Sequence, residues 1–482
     1  MDLRWDDAAS AVRFEAYIED LAGALGHKDR DAPFRRYCAG LLLPGDRKSV
    51  EPMAARLSPG SVSAEHQSLL HFVGQSPWCH EALLAAVRGS VLPALAAQGP
   101  VEAWIVDDTG FPKKGRHSVG VARQYCGQLG KQDNCQVAVS LSLATAEASL
   151  PVAWRLYLPE SWAEDRARRV EAKVPDDVVF RTKPEIALHE IARAAASPEL
   201  PQGVVLADAG YGNDTGFRGG LGDLGLDYVV GIASTTTLWA PGTGPLPPKA
   251  SGGRGRPATR LRRRAGQAPV SAKALAESLS ADAWQEITWR EGTAEPLRSR
   301  FAALRLRPAH RDSARSEPWP EEWLLIEWPE GEAEPTRYWL SNLPEDTRLA
   351  RLVHLAKLRW LIERDYRELK QELGLGHYEG RGWPGFHHHA ALCIAAYGFL
   401  LKERLAIPPS GPKKRALLKE PSLPRGFRPR GAADPPRTPP AGLHRHTPPP
   451  DRHGSRPQND PMSMLSAETP RESDRTQKFM TQ

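Results

Sequence analysis

The sequence predicts a mixed α/β fold: an N-terminal helical region, a sheet of strands and helices, and a β-rich insertion placed before the last two helices. Three features predict it. Two short apolar runs, residues 103–106 and 203–207, read as buried strands, and each runs into an aspartate. Residues 345–374 carry apolar side chains at helical period, a stripe of Leu352, Leu355, Ile362, Tyr366, Leu369 and Leu373. Between these, the texture turns to strands and tryptophan, with six of the fourteen tryptophans lying from Trp284 to Trp339.

Taken in order, residues 1–98 read as helices, because the segments beginning at Phe14 and His66 space their apolar residues helically and Pro44-Gly45 and Pro59-Gly60 punctuate them. Residues 99–233 form the first part of a core. It holds strands at 103–106, 136–143 and 152–158, a helix at 184–196 with proline in its first turn, and strands at 203–207 and 227–232. Residues 234–342 are the insertion, opening on a Pro/Gly/Arg-rich loop and continuing as strands at 284–289, 300–306 and 323–328. Residues 343–405 complete the core with the long helix and a second apolar helix at 386–401. Residues 406–482 hold sixteen of the forty-four prolines and few aliphatic residues, so a disordered Pro/Arg-rich tail is expected.

The chain of 482 residues is 40% hydrophobic and 25% charged, which excludes a wholly disordered chain and a disulfide-stapled miniature. No apolar run approaches the length of a membrane span, the N-terminus lacks a secretory pattern, and the five cysteines are odd in number. A cytoplasmic protein with no membrane partner is expected. The net charge of +6 is compatible with a polyanionic partner. Residues 249–264 concentrate Lys249, Arg254, Arg256, Arg260, Arg262, Arg263 and Arg264 with no acid, which reads either as a solvated loop or as a phosphate-contacting one.

The chemistry centres on carboxylates at strand ends. Asp107 or Asp108 ends the first strand and Asp208 the later one; if the strands are neighbours, their ends converge where α/β sheets place ligands. Taken singly, each aspartate reads as a helix cap or turn residue. On the long helix, Arg359, Glu363 and Lys370 share one face, which alone reads as a salt-bridge ladder. Three carboxylates can hold a pair of Mg²⁺ ions, and a metal pair clamps the attacking and leaving oxygens of a phosphodiester.

The segment Arg359-Trp-Leu-Ile-Glu363-Arg-Asp-Tyr-Arg-Glu-Leu-Lys370 resembles the Arg-x3-Glu-x6-Lys signature of DDE-type insertion-sequence transposases. Asp107-Asp-Thr-Gly-Phe-Pro-Lys-Lys-Gly115 and Ala207-Asp-Ala-Gly-Tyr-Gly212 resemble the first- and second-acid motifs of one bacterial subgroup, and the resemblance spans roughly residues 15–405. It implies a ribonuclease H-like core with a β-rich insertion before the third acid. It maps Asp107, Asp208 and Glu363 onto a catalytic and metal-binding triad, Asp108 being the alternative first acid. It maps Arg359 and Lys370 onto phosphate-contacting positions. The fuller signature begins with a tyrosine where this chain has Ala356.

The implied activity is a Mg²⁺-dependent transposase, using two ions that Mn²⁺ can replace. Its partners would be double-stranded DNA, as element ends and as target, and a second copy of the chain in the DNA complex. The alternatives are a hydrolytic nuclease of the same fold and an inactive DNA-binding derivative acting as a regulator. Trp360 and the insertion tryptophans are candidates for stacking on an unpaired base, though most read as core. His387-His-His389 points three ways around a helix and makes a poor chelate, and Cys126 and Cys135 have no second pair for zinc. Lys113, Lys114, Arg116 and His117 read equally as a DNA-facing or a solvated turn.

Overall fold

A computed structural model describes residues 8–249, 258–290 and 296–406. The expected tail, and Arg254 and Arg256 of the basic stretch, lie outside the described residues. Five helices open the chain: α1 (Ala8–Ala22), α2 (Asp31–Leu42), α3 (Val50–Leu57), α4 (Val62–Gly74) and α5 (His80–Ala96). The sheet begins with β1 (Ala103–Pro112), β2 (Ala122–Cys126), β3 (Lys131–Ala144) and β4 (Ser149–Leu156). Two short helices, α6 (Glu160–Ala163) and α7 (Arg166–Glu171), and then α8 (Lys183–Ala195) cross over to β5 (Val204–Ala207). Helices α9 (Ala209–Gly212) and α10 (Thr215–Asp223) lead on to β6 (Tyr228–Ile232).

β1 pairs antiparallel with β3 and parallel with β5, and β5 pairs parallel with β6. β4 lies on the far side of β3, so the order β4-β3-β1-β5-β6 gives the mixed α/β sheet that the sequence predicts. From Cys135 to Ala144 β3 is buried on both faces, because helices cover both sides of a central strand. α8 starts on a capping box: Thr182 accepts from the Glu185 backbone while the Glu185 carboxylate reaches back to Thr182, with Pro184 in the first turn. Gly212 is required where α9 crosses β6, since a Cβ there would collide with the Gly231 carbonyl oxygen.

The insertion extends this same sheet. It consists of β7 (Thr237–Trp239), β8 (Val270–Ser271), α11 (Ala272–Glu277), β9 (Gln285–Arg290), β10 (Leu297–Pro308), β11 (Glu322–Pro329) and β12 (Arg337–Ser341). β12 pairs antiparallel with β6, and the order then runs β12-β11-β10-β7-β8. The strands before residue 233 and those of the insertion therefore belong to a single hydrogen-bonded sheet.

The helix expected over residues 345–374 is three pieces: α12 (Leu349–Leu358), α13 (Trp360–Arg367) and a π-turn (Glu368–Glu372). Arg359 ends one helix and starts the next, its carbonyl accepting from the Ile362 N–H at 3.2 Å. The last helix, α14 (Trp383–Ala406), is longer than expected and buried almost all round. Helices α1, α2, α4 and α5 pack on one side of it and β4 on the other. Such a helix is apolar on every face and shows no amphipathic stripe. Among the described residues, no helix is long and apolar enough to cross a membrane.

The three histidines of α14 hold this layer together. His387 meets the Trp383 carbonyl and the Leu156 N–H, His388 the carbonyls of Val73 and Trp78, and His389 the Tyr37 hydroxyl and the Gly374 carbonyl. All three are buried and point to different elements, as the sequence pattern indicates.

Candidate active site

β1 and β5 run parallel in the register Ile105↔Leu206, so their next residues lead Asp107 and Asp208 out side by side at the same end of the sheet. Asp208 caps α9, its Oδ1 accepting from the Gly210 N–H at 2.9 Å. The capping role read from sequence is therefore real, and it fixes the carboxylate at the strand end. Asp107 and Asp108 point to opposite faces of β1, as successive strand residues do. Asp107 meets Arg359, whose Nη1 donates to Oδ2 at 2.8 Å. Asp108 is held instead by Lys183 Nζ, 3.1 and 3.2 Å from its two oxygens, and by the Tyr211 hydroxyl at 3.2 Å.

Arg359 joins strand to helix. Its Nη2 lies 3.7 Å from Glu363 Oε1, one turn along α13. Burial pulls the Arg359 charge down, yet Asp107, Asp208 and Glu363 together hold it above its ordinary range. One guanidinium thus feels all three carboxylates. Burial pushes Asp107 up to about 6; Arg359 opposes that rise, while Asp208 and Asp108 add to it. The Glu363 side chain is 69% exposed, so a ligand in solvent can reach it.

Lys370 is carried by the π-turn. Its Nζ donates to the Gly110 carbonyl at 2.8 Å and lies 5.0 Å from the Phe111 ring centroid. Burial brings its amine down to about 8, against the pull of Cys126 and Asp107. The site residues expected from sequence therefore lie along β1 and at the end of β5; Asp107 does not end its strand as expected, because β1 pairs with β3 as far as Pro112, and a break at Arg359 and a π-turn at Lys370 replace the single helix face. π-turns of this kind occur often at functional sites.

Sequence reasoning missed the supports. Tyr366 on α13 exchanges a 2.7 Å hydrogen bond with Ser140, the residue directly across from Asp107 in the β1–β3 ladder. Asp365, fully buried beside it, accepts from the Ser149 and Tyr397 hydroxyls at 2.6 and 2.7 Å. Lys183, the partner of Asp108, gave no signal, since a lysine at a helix start is unremarkable. Tyr211 lies within the second-acid motif and could have been found there. Lys113, which the sequence allows to face either DNA or solvent, points inward and donates to the Tyr378 carbonyl at 2.7 Å. Trp360 is covered by Arg290 at 3.7 Å and Arg364 at 5.2 Å from its ring centroid.

Among the described residues, no three His, Cys, Asp or Glu side chains converge closely enough to chelate a metal ion. The guanidinium of Arg359 lies between Asp107 and Glu363, and it supplies the positive charge that their convergence demands. The donors are all carboxylate oxygens, the chemistry a hard divalent cation requires. In the structure Arg359 occupies the Asp107 oxygen that such a cation would need.

The profile of the DDE superfamily endonucleases matches residues 20–296, more than half of the chain. The chain belongs to the DDE superfamily endonuclease family. The matched span contains Asp107 and Asp208 and stops before Glu363. Over 169 residues the chain is also 36% identical to a probable transposase for insertion sequence element IS701 of Microchaete diplosiphon. That match covers 35% of this chain and 41% of the relative, so less than half of either is aligned. Membership in the DDE superfamily agrees with the resemblance carried by the three sequence motifs.

Proposed function

We propose that this DDE superfamily member is an insertion-sequence transposase that cuts DNA at the ends of its element and joins them to target DNA by phosphoryl transfer. The observation that carries the reading is Arg359 bridging Asp107, at 2.8 Å, and Glu363, at 3.7 Å, beside the neighbouring strand that delivers Asp208. In this reading the three carboxylates hold two Mg²⁺ ions, replaceable by Mn²⁺, which would polarise the scissile phosphate and lower the cost of deprotonating the attacking water or 3′-hydroxyl. Arg359, displaced from Asp107, turns its fork of donors to a non-bridging phosphate oxygen. Lys370 contributes a second positive charge beside the Gly110 carbonyl that its Nζ meets. Half-buried Asp107 and capped Asp208 are the fixed ligands in this reading, while exposed Glu363 is the one that adjusts when DNA arrives.

The same reading assigns residues 1–98 to recognition of the element ends, residues 99–233 and 343–405 to the catalytic core, and residues 234–342 to an insertion within it. The partners are double-stranded DNA and a second copy of the chain that pairs the two ends, in the cytoplasm and on the nucleoid. The 3′-hydroxyl freed by cleavage is the nucleophile of the joining step, so both reactions use one site.

The test is cleavage of a labelled element end, taken with its flanking genomic DNA, in Mg²⁺ or Mn²⁺ by the unaltered chain, Asp208→Asn and Glu363→Gln. Cleavage by the unaltered chain, abolished in both variants while DNA binding persists, supports the reading. Binding without cleavage by the unaltered chain points to an inactive DNA-binding derivative. Cleavage without joining of a pre-cut end points to a hydrolytic nuclease. Cleavage that survives both substitutions refutes the site.

A further inference from the structure

The basic stretch at residues 249–264, which the sequence allows to be either solvated or phosphate-contacting, has a defined place in the fold. From residue 228 to residue 276 the chain contains no aspartate or glutamate, while its basic residues crowd toward positions 260–264. If this were a merely solvated loop, its backbone would need no tertiary partners. Instead it is clamped. Leu261 is buried and its N–H donates to the Arg315 carbonyl at 2.9 Å. Arg262 exchanges backbone hydrogen bonds with Leu246 in both directions, at 2.9 and 2.7 Å. Arg263 reaches inward to Asp312 Oδ1 at 3.2 Å, and that buried carboxylate is also fixed by Trp239 Nε1 at 2.9 Å.

Leu261 thus faces the protein and Arg263 reaches back to Asp312, while Arg260, Arg262 and Arg264 are all exposed. The three exposed arginines fall within residues 260–264, which concentrates positive charge on this short stretch. Arg262 Nε donates to the Pro247 carbonyl at 3.0 Å, which uses one of its five donors and steadies the group. Exposed Arg311, on the adjoining turn, adds a fourth positive charge. Holding like charges close together costs electrostatic energy, which a bound polyanion offsets. A cluster held in place beforehand also binds with less loss of side-chain entropy.

We propose that Arg260, Arg262 and Arg264 form a fixed platform that binds the sugar–phosphate backbone of duplex DNA at a distance from the catalytic carboxylates. The sheet sets that distance. Six inter-strand steps, β1-β5-β6-β12-β11-β10-β7, separate the aspartate strand from the strand beside the platform. At ~4.8 Å per step this is roughly 29 Å, the length of about nine base pairs. The platform therefore grips DNA flanking the reacting phosphate and adds affinity without sequence preference. The inference rests on the transposase reading for its choice of duplex DNA as the polyanion.

The experiment follows binding of the full chain to a linear duplex of arbitrary sequence by fluorescence anisotropy across a range of salt concentrations. The unaltered chain is compared with the triple variants Arg260→Ala/Arg262→Ala/Arg264→Ala and Arg260→Lys/Arg262→Lys/Arg264→Lys, and with Arg260→Ala and Arg264→Ala alone. Removing one cation from a DNA phosphate makes the slope of log K against log salt shallower by ~0.9, so the slope should become shallower by about 2.7 in the triple alanine variant and by about 0.9 in each single variant. The lysine variant, which keeps the charge, should keep the slope. An unchanged slope in the alanine variants, with the unaltered chain binding normally, overturns the platform alone. Failure of the unaltered chain to bind duplex DNA at all overturns the transposase reading, and the platform with it.

Discussion

The Tyr366 hydroxyl lies 2.7 Å from Ser140 Oγ, and Ser140 is the cross-strand partner of Asp107. The helix that carries Glu363 is thereby pinned to the sheet at the level of the first carboxylate. Because both hydroxyls are buried, the bond fixes the height of α13 against β1 and hence the spacing between Asp107 and Glu363. Tyr366→Phe should lower stability by about 1 kcal/mol, the net worth of a buried hydrogen bond. It should slow element-end cleavage more than that, by roughly ten- to a hundredfold, because small displacements of catalytic groups are costly. Ser140→Ala should do the same, and the double variant little more, since both remove one interaction. DNA affinity measured in parallel should not change; additive losses of cleavage would contradict a shared positioning role.

In the proposed reading a divalent cation competes with Arg359 for the Asp107 oxygen that Arg359 Nη1 approaches to 2.8 Å. Arg359→Ala should therefore bind Mn²⁺ more tightly than the unaltered chain when titrated calorimetrically without DNA. Its cleavage should nevertheless fall on the order of a hundredfold or more, the usual loss when a preorganised donor to a reacting oxyanion is removed. Weaker Mn²⁺ binding in the variant would mean that Arg359 organises the carboxylates and does not compete with the ion.

What was legible in the sequence was local chemistry. The apolar runs before Asp107 and Asp208 and the spacing of Arg359, Glu363 and Lys370 predict neighbours that the structure does bring together, because residue type and short spacing survive folding. What was illegible depends on distant partners. The stripe from Leu352 to Leu373 is continuous in sequence, so neither the break at Arg359 nor the π-turn at Lys370 leaves a trace in it; both arise where side chains turn to meet β1. β2 was missed because its mixed exposure puts Arg123, Gln124 and Tyr125 on a sheet edge without an apolar run. The pairing of β12 with β6, which merges insertion and core, joins Tyr338 to Ile232 across more than a hundred residues.

The insertion is fastened to α12 by a buried ion pair. Lys357 meets Glu327 beneath the rings of Trp289, Phe301 and Trp339, and Ser299 Oγ donates to the same carboxylate at 2.8 Å. Removing one partner strands a buried charge, so Lys357→Met should cost about 3–5 kcal/mol in urea unfolding. Lys357→Met with Glu327→Leu should recover most of that loss, because an apolar pair needs no compensating charge. Lys357 lies two residues before Arg359, so the single variant should also depress cleavage. A double variant no more stable than the single would show that the pair itself, and not the orphaned carboxylate, sets the stability.

His389 gives the fold a dependence on acid. Its Nδ1 lies 2.9 Å from the Tyr37 hydroxyl and its Nε2 3.0 Å from the Gly374 carbonyl, a pairing that the neutral ring with hydrogen on Nε2 satisfies fully. Burial lowers its pKa from 6.5 to about 4; the Gly374 carbonyl opposes this, and Lys113 and His377 add to it. Tyr378 stacks on the ring and Cys393 Sγ lies 3.5 Å from Nε2. Between about pH 6.5 and pH 4 the unfolded chain binds a proton here that the folded chain does not, so stability falls as pH falls through that window. The loss amounts to about 1.4 kcal/mol per pH unit, or roughly 3 kcal/mol across the whole window. His389→Gln, which does not titrate, should be less stable than the unaltered chain at pH 7 but should close that gap by most of this amount at pH 4. Urea unfolding at a series of pH values reads the difference directly. A gap that stays constant with pH would mean that the folded chain protonates His389 as readily as the unfolded chain does, the Tyr37 hydroxyl then accepting from its Nδ1.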